Sequence, residues 1–462
     1  AAVLAWDLGN ECNCMGEAVR EEAAHWTAMI TDAIRACDPS RPILSGMHSL
    51  TCQGPWSIAD QGMWNDILTT HPYPCFVPHA SLERNDSLRA LLHATAETVL
   101  YANISGKPCL VEELGLLGPM RANEDITAGF LRVNLFSCWA HGAAGLLWWC
   151  AFDQSHLDFP PYSWNMCERE LGMFLADGQP RPLAREFRYF CEKTAFLSLP
   201  PYESNAVCIL TREQDNWGVA YAAFILAKQA GLTLAFAYCD QPLPKASAYL
   251  LPSVTGNCVM EAVVYHRLME HIREGAVLLI TNNRAPLTEF TALTGLTVED
   301  GDEFQHNDSM DWDGHHLVFN YPKKLYIHSL EADILAKDSH GIPVFTRHRY
   351  GKGDVFYLNF PLESSLIQQP EGFGTEAYHV YRTAFAKLLN TLAAFSANPS
   401  IGVTLHRQHD FLYAVCINYS AQSQDMKLIL NGATISRVLY GNPDRLPPFD
   451  SCLMELKMLP IF

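Results

Sequence analysis

Two short segments carry the carboxylates that could do chemistry. Trp6-Asp7-Leu8-Gly9-Asn10-Glu11 closes an apolar run that begins at Ala2, and Pro108-Cys109-Leu110-Val111-Glu112-Glu113-Leu114-Gly115 repeats that design. Each reads as a short buried strand with an acid at its C-terminal end. Two carboxyl groups that face each other are the minimum equipment for splitting a glycosidic bond. One gives a proton to the leaving oxygen, and the other attacks the sugar or steers water. Glu112 and Glu113 are neighbours, so on a regular strand they point to opposite faces and only one can meet Glu11. The other needs a partner or solvent, because a buried unpaired carboxylate is costly.

Other residues at strand ends could support such a pair. His71-Pro72-Tyr73 follows an apolar stretch ending at Thr70. A histidine and a tyrosine there can hydrogen-bond a carboxylate and hold its charge. Asn10 can donate an N–H to a sugar hydroxyl. Trp148-Trp149 closes the last apolar run of this region, and one indole could form a stacking floor under a sugar ring while the other packs away from it.

The elements that must position these groups alternate. Strand candidates Ala2–Leu8, Pro42–Gly46, Asp66–Tyr73, Pro108–Leu114 and Gly142–Phe152 are separated by helical patterns. These helical stretches are Glu17–Cys37, Trp56–Asn65, Leu82–Ile104 and Asn123–His141, with Pro182–Leu197 closing the region. All-apolar strands between helices mean a parallel sheet covered on both faces. The count gives five strand–helix units, where a closed (β/α)8 barrel takes eight. A second α/β pattern runs over 201–395, with strands at Val207–Thr211, Thr233–Tyr238, Tyr249–Pro252 and Ala276–Thr281. Its helices fall at Trp217–Ala230 and Glu261–Arg273. A hairpin around Gly351-Lys352-Gly353 and a closing helix Ala377–Phe395 follow. This predicts an open, doubly wound, flavodoxin-like sheet. Residues 396–462 read as short alternating strands, a small β-sandwich.

Composition narrows the classes. The 462 residues are 49% hydrophobic and 18% charged, which is globular and not disordered. A net charge of -18 repels polyanions, so nucleic acid is discounted, whereas a neutral sugar is indifferent to it. No apolar run of membrane-spanning length and no signal peptide are seen. Fifteen cysteines, many within apolar runs, suggest free thiols in a reducing cytoplasm. Cys12-Asn13-Cys14 has no second pair at zinc-site spacing, so no metal or cofactor is expected. Cys258, in Gly256-Asn257-Cys258-Val259, lacks the second flanking glycine of a nucleophile elbow, which argues against a separate amidotransferase-like centre in the second region.

In this order, strand–Asn-Glu, strand–His-x-Tyr, strand–Glu-x-Gly and strand–Trp resemble the clan A glycoside hydrolases, retaining enzymes built on a (β/α)8 barrel. The resemblance spans residues 1–200. It implies that Glu11 is the acid/base, Asn10 a ligand of the sugar 2-hydroxyl and Glu113 the nucleophile. His71, Tyr73 and Trp148 match supporting positions. Leu114 stands where the family pattern has an aromatic, which leaves Glu112 in contention. The domain order, 1–200, 201–395 and 396–462, is similar to family 42 β-galactosidases and related β-mannosidases, whose middle domain helps build a trimer. The local motifs are nearer to family 5. The resemblance therefore implies a β-linked carbohydrate substrate and a homo-oligomer, with a trimer as its form. It also implies that the chain holds only strands four to eight of a barrel. A catalytically impaired remnant that binds carbohydrate or mediates oligomerisation is the competing expectation.

Overall fold

The computed structural model describes residues 2–409 and 411–459. They fall into two compact units. One contains the described residues up to Glu203 together with those from Ser396 onward, and the other is Ser204–Phe395.

The first unit alternates as its apolar pattern requires. In order come β1 (Trp6–Asp7), α1 (Arg20–Cys37), β2 (Ile43–Leu44), α2 (Ile58–Trp64) and β3 (Leu68–Thr70). Then follow α3 (Leu88–Ser105), β4 (Cys109–Leu114), α4 (Glu124–Ala140), β5 (Leu146–Trp148) and α5 (Pro182–Thr194). Polar caps start the helices: Ser57, Ser87 and Asn123 each accept a backbone N–H from the first turn. Gly106, at φ 66, lets the chain leave α3 and turn into β4. β1 pairs in parallel with β2, a parallel bridge from Leu44 to Ile67 carries the order on to β3, and β3–β4–β5 are parallel neighbours. Five parallel strands thus stand side by side in sequence order. Among the described residues no strand pairs with the outer edge of β1 or of β5.

The C-terminal stretch packs on this layer. Strands Ile401–Gln408, Phe411–Asn418, Ser451–Met458 and Ala433–Tyr440 form one antiparallel sheet, in that order. Ser137 of α4 hydrogen-bonds Tyr419 at 2.8 Å. The Phe136 ring lies 5.7 Å from that of Tyr440. A Cβ on Gly129 would sit 2.4 Å from the Phe449 ring, so the absent side chain is what admits this aromatic contact.

The second unit holds β6 (Ala206–Leu210), α6 (Asn216–Ala230), β7 (Leu234–Tyr238), β8 (Ala248–Val254), α7 (Ala262–Glu274) and β9 (Val277–Asn282). They belong to a seven-stranded sheet in the order β7-β6-β8-β9, then Gly353–Leu358, Pro343–Tyr350 and Asp333–Lys337. The first five are parallel, and the last two add an antiparallel edge. The parallel part has the 2-1-3-4-5 order of doubly wound sheets.

Three features differ from the sequence expectation. The run Ala2–Leu8, expected as a buried strand, is a strand only at Trp6–Asp7 and lies largely exposed, since among the described residues no strand pairs with its outer edge. The helix expected over Ala377–Phe395 is two short helices, Tyr378–Ala384 and Ala386–Leu389, because the backbone leaves helical geometry at the buried Phe385 (φ -104, ψ 19). Ala394 and Phe395 are already in an extended strand. Between β9 and the closing hairpin lie two antiparallel pairs, Leu296–Asp302 with Lys324–Ser329 and His306–Trp312 with His315–Tyr321. Their many charged and histidine positions hid the alternation. Among the described residues no helix is long and apolar enough to cross a membrane.

Candidate active site

The turn after β1 aims Glu11. Gly9, at φ 128, donates its N–H to the Asp7 carboxylate at 2.9 Å. Glu11 takes a left-handed conformation (φ 49, ψ 40), and its N–H donates to the Gly46 carbonyl at 2.8 Å. Gly46 is itself at φ +60, and a Cβ there would lie 2.1 Å from the Gly9 oxygen and 2.2 Å from Asp7 Oδ1. Only glycine lets β1 and β2 deliver both acids so close together. Gly46→Ala is expected to destabilise the fold by roughly 1–3 kcal/mol through this overpacking, read as a lowered denaturation midpoint, and to reduce activity by shifting Glu11.

His71 is the hub. Thr70 ends β3 with its hydroxyl donated to the buried Glu97 at 2.6 Å, which fixes the residue just before it. The His71 ring is 1% exposed, with Nδ1 2.8 Å from a Glu11 oxygen and Nε2 3.3 Å from Glu112 Oε2. Nδ1 is also 3.8 Å from Glu113 Oε2. Burial works against the charge on this imidazole. Hydrogen bonds to Glu11 and Glu112, with Glu113 close by, outweigh it and carry the pKa up to about 9. The reciprocal effect is seen on Glu11: the bond from His71 holds its carboxyl below the usual range despite partial burial. Burial opposes the charge on Glu112, and its bonds with His71 and Asp7 prevail.

Glu113 accepts the Tyr73 hydroxyl at 2.8 Å. Burial and that carboxylate push the Tyr73 phenol far up, so it remains a donor. The donor and acceptor atoms of Glu11, His71 and Glu113 all lie within 4.8 Å of one another. Such closeness would also suit a cation. A cation there would have to displace a proton from His71, whose ring nitrogens both meet carboxylates.

A cleft of about 540 Å³ opens over this cluster. Of the residues singled out from sequence, Asn10, Glu11, Tyr73, Glu113 and Trp149 line it. His71 lies beside it, bonded to its walls. Glu113, not Glu112, faces the cleft. Strict alternation does not hold at this point, because the register between β4 and β5 shifts between Val111 and Leu114, and both acids come within reach of His71. Of the two tryptophans, Trp149 forms the wall, with Nε1 3.2 Å from Glu168 Oε2. Trp148 instead donates to the Leu171 carbonyl at 3.1 Å and lines an adjoining small pocket, beside Leu171 and Arg181, that Trp149 also borders.

Among the lining residues not singled out are His48, Phe76, Asn165 and Glu168. His48 could have been found, since it stands just beyond a strand end as His71 does. Its ring hydrogen-bonds the His71 carbonyl at 3.0 Å, and its backbone N–H donates to Asn13 at 3.2 Å. Asn165 and Glu168 lie in an irregular stretch after β5, where no periodic pattern marks a wall.

No protein-family model and no curated protein matches the sequence. Solved structures do match in fold. An exo-β-1,4-mannosidase from Opitutaceae bacterium strain TAV5 superposes with a TM-score of 0.67 at 23% identity, over 82% of this chain and 72% of its own. A β-galactosidase from Bacillus circulans sp. alkalophilus gives 0.69 at 14% identity, over 94% and 67%. An α-L-fucosidase isoenzyme from Paenibacillus thiaminolyticus gives 0.63 at 13%, over 96% and 72%. This chain thus spans roughly 67–72% of the length of these neighbours. The structure shares the fold of clan A glycoside hydrolases.

Proposed function

We propose that the first unit is an incomplete (β/α)8 barrel carrying the site of a retaining β-glycosidase, of β-galactosidase or β-mannosidase type. The observation that carries this reading is the placement of Glu11 and Glu113 on one cleft, with carboxylate oxygens no more than 4.8 Å apart. Such closeness is nearer the roughly 5–5.5 Å carboxyl spacing of retaining enzymes than the wider gap that inversion needs for its water. In the first step Glu113 attacks the anomeric carbon while Glu11, taking the proton of the His71 Nδ1–H it is bonded to, passes one to the departing oxygen. In the second, Glu11 takes a proton from water, which displaces Glu113 from the sugar. Tyr73 orients Glu113, Asn10 faces the sugar 2-hydroxyl, and Trp149 offers a stacking surface. No cofactor takes part.

The test is hydrolysis of 4-nitrophenyl β-galactoside and β-mannoside, with the first-formed anomer read by proton NMR. A β product is expected. An α product, or no turnover of any aryl β-glycoside, overturns the reading. One observation favours the second reading, a carbohydrate-binding or oligomerisation module without turnover: the edges of β1 and β5 are unpaired among the described residues. Sugar binding by calorimetry with no hydrolysis would support it. For the second unit the reading is a homo-oligomer contact, a trimer, which light scattering at micromolar concentration tests.

A further inference from the structure

The function above uses Glu11 and Glu113 but leaves two acids of the same cluster without a task. Asp7 ends β1 and Glu112 lies on β4, and each carboxyl group shifts the other's titration. Neither lines the cleft. Asp7 Oδ1 is tied to the Gly9 N–H, and Gly46 leaves the space its carboxyl fills. Glu112 in turn meets His71 Nε2 at 3.3 Å, while Nδ1 of that ring meets Glu11 at 2.8 Å. His71 therefore bridges Glu112 to Glu11 by hydrogen bonds, with the Asp7 carboxyl acting on Glu112 from the edge strand. We propose that Asp7 and Glu112 are positioning residues that hold His71 protonated on both ring nitrogens and aimed at Glu11. This rests on Glu11 being the acid/base.

The physical logic is a sequence of donors. A carboxyl Asp7 gives its proton to Glu112, which keeps Glu112 an acceptor for Nε2–H. The ring then has its Nδ1–H for Glu11. Asp7 is faced by Glu112 from β4 and by His71 after β3, with the Cys12 thiol in the turn after β1 and Gly46 in the turn after β2. His71 is faced by Glu11, Glu112 and Glu113, and its ring centre is 6.2 Å from that of His48. Asp7 is exposed as a residue, but crowding of its carboxyl away from water and the neighbouring Glu112 raise it to about 6. Below that pH it is a donor. Above it, two carboxylates meet under His71 and strengthen its hold on its protons.

The experiment follows the His71 ring by nitrogen-detected NMR across pH 4–10, assigned by its loss in His71→Asn, alongside kcat/KM on an aryl β-glycoside. Wild-type His71 is expected to be doubly protonated at neutral pH and to show an inflection near pH 6, mirrored in kcat/KM. Asp7→Asn, which keeps an N–H donor and the fold, should abolish both inflections. Glu112→Gln should lower the His71 midpoint by about one pH unit or more. A neutral wild-type ring at pH 7, or an Asp7→Asn titration identical to wild type, overturns the proposal. A ring that behaves as expected in a protein that hydrolyses no glycoside supports the relay and overturns the glycosidase reading alone.

Discussion

Glu113→Gln is expected to cut kcat on an aryl β-glycoside roughly 10⁴-fold, because an amide cannot form the glycosyl ester and the remaining groups act as a unit with it. Glu11→Gln should cost about 10²–10⁴-fold on an unactivated glycoside, the usual worth of general acid–base catalysis. With a dinitrophenyl leaving group, which departs without a proton, the first step in Glu11→Gln should be nearly normal and the second slow. A burst of phenolate followed by slow turnover is the signature. Glu112→Gln should act differently, through the pH profile and not through loss of a covalent intermediate. If Glu112→Gln abolishes the burst and Glu113→Gln does not, the assignment of the nucleophile is reversed.

The largest stability effect is expected at Phe136. Its ring is fully buried and lies edge-on to Phe190 at 5.1 Å and to Tyr189 at 6.1 Å, with Tyr440 at 5.7 Å. One side chain therefore joins α4, α5 and the C-terminal sheet. Phe136→Ala removes that joint and leaves a cavity that three aromatic neighbours cannot fill, at a cost of about 3–5 kcal/mol. Urea unfolding followed by tryptophan fluorescence checks it. A drop below about 1 kcal/mol would mean that the sheet and the helices are held together elsewhere.

Much of the positioning frame was legible because it depends on local patterns. The apolar runs that become β1 to β5 are bounded by prolines, glycines and caps, and each places an acid, histidine or aromatic at its end. The contest between adjacent residues was harder. Glu112 against Glu113 and Trp148 against Trp149 turn on a register shift and on where a strand stops. Trp149 lies one position past β5, yet its N–H still donates to the Leu114 carbonyl at 2.9 Å, so the frame extends further than the apolar run suggests. The wall at Asn165 and Glu168 was invisible, since an irregular segment acquires its place only from what it packs against. The link from Asp7 through Glu112 to His71 was equally hidden, because it joins three strands across more than a hundred residues.

The route of the chain through its first unit has a consequence for the order of events at the ribosome. Glu203 N–H bonds the Leu405 carbonyl at 2.7 Å, and Tyr202 bridges His406, so the strand that leaves this unit lies against the one that returns. Ser137 and Tyr419, which touch across it, are 282 positions apart. The Ser204–Phe395 unit is contiguous and can assemble as soon as it emerges. The five strands and their helices, made first, must wait for the returning sheet before α4 has its full cover. During that interval the Phe136 face is the exposed apolar surface on which a chaperone would act, and pulse-labelling of nascent chains should find it protected last.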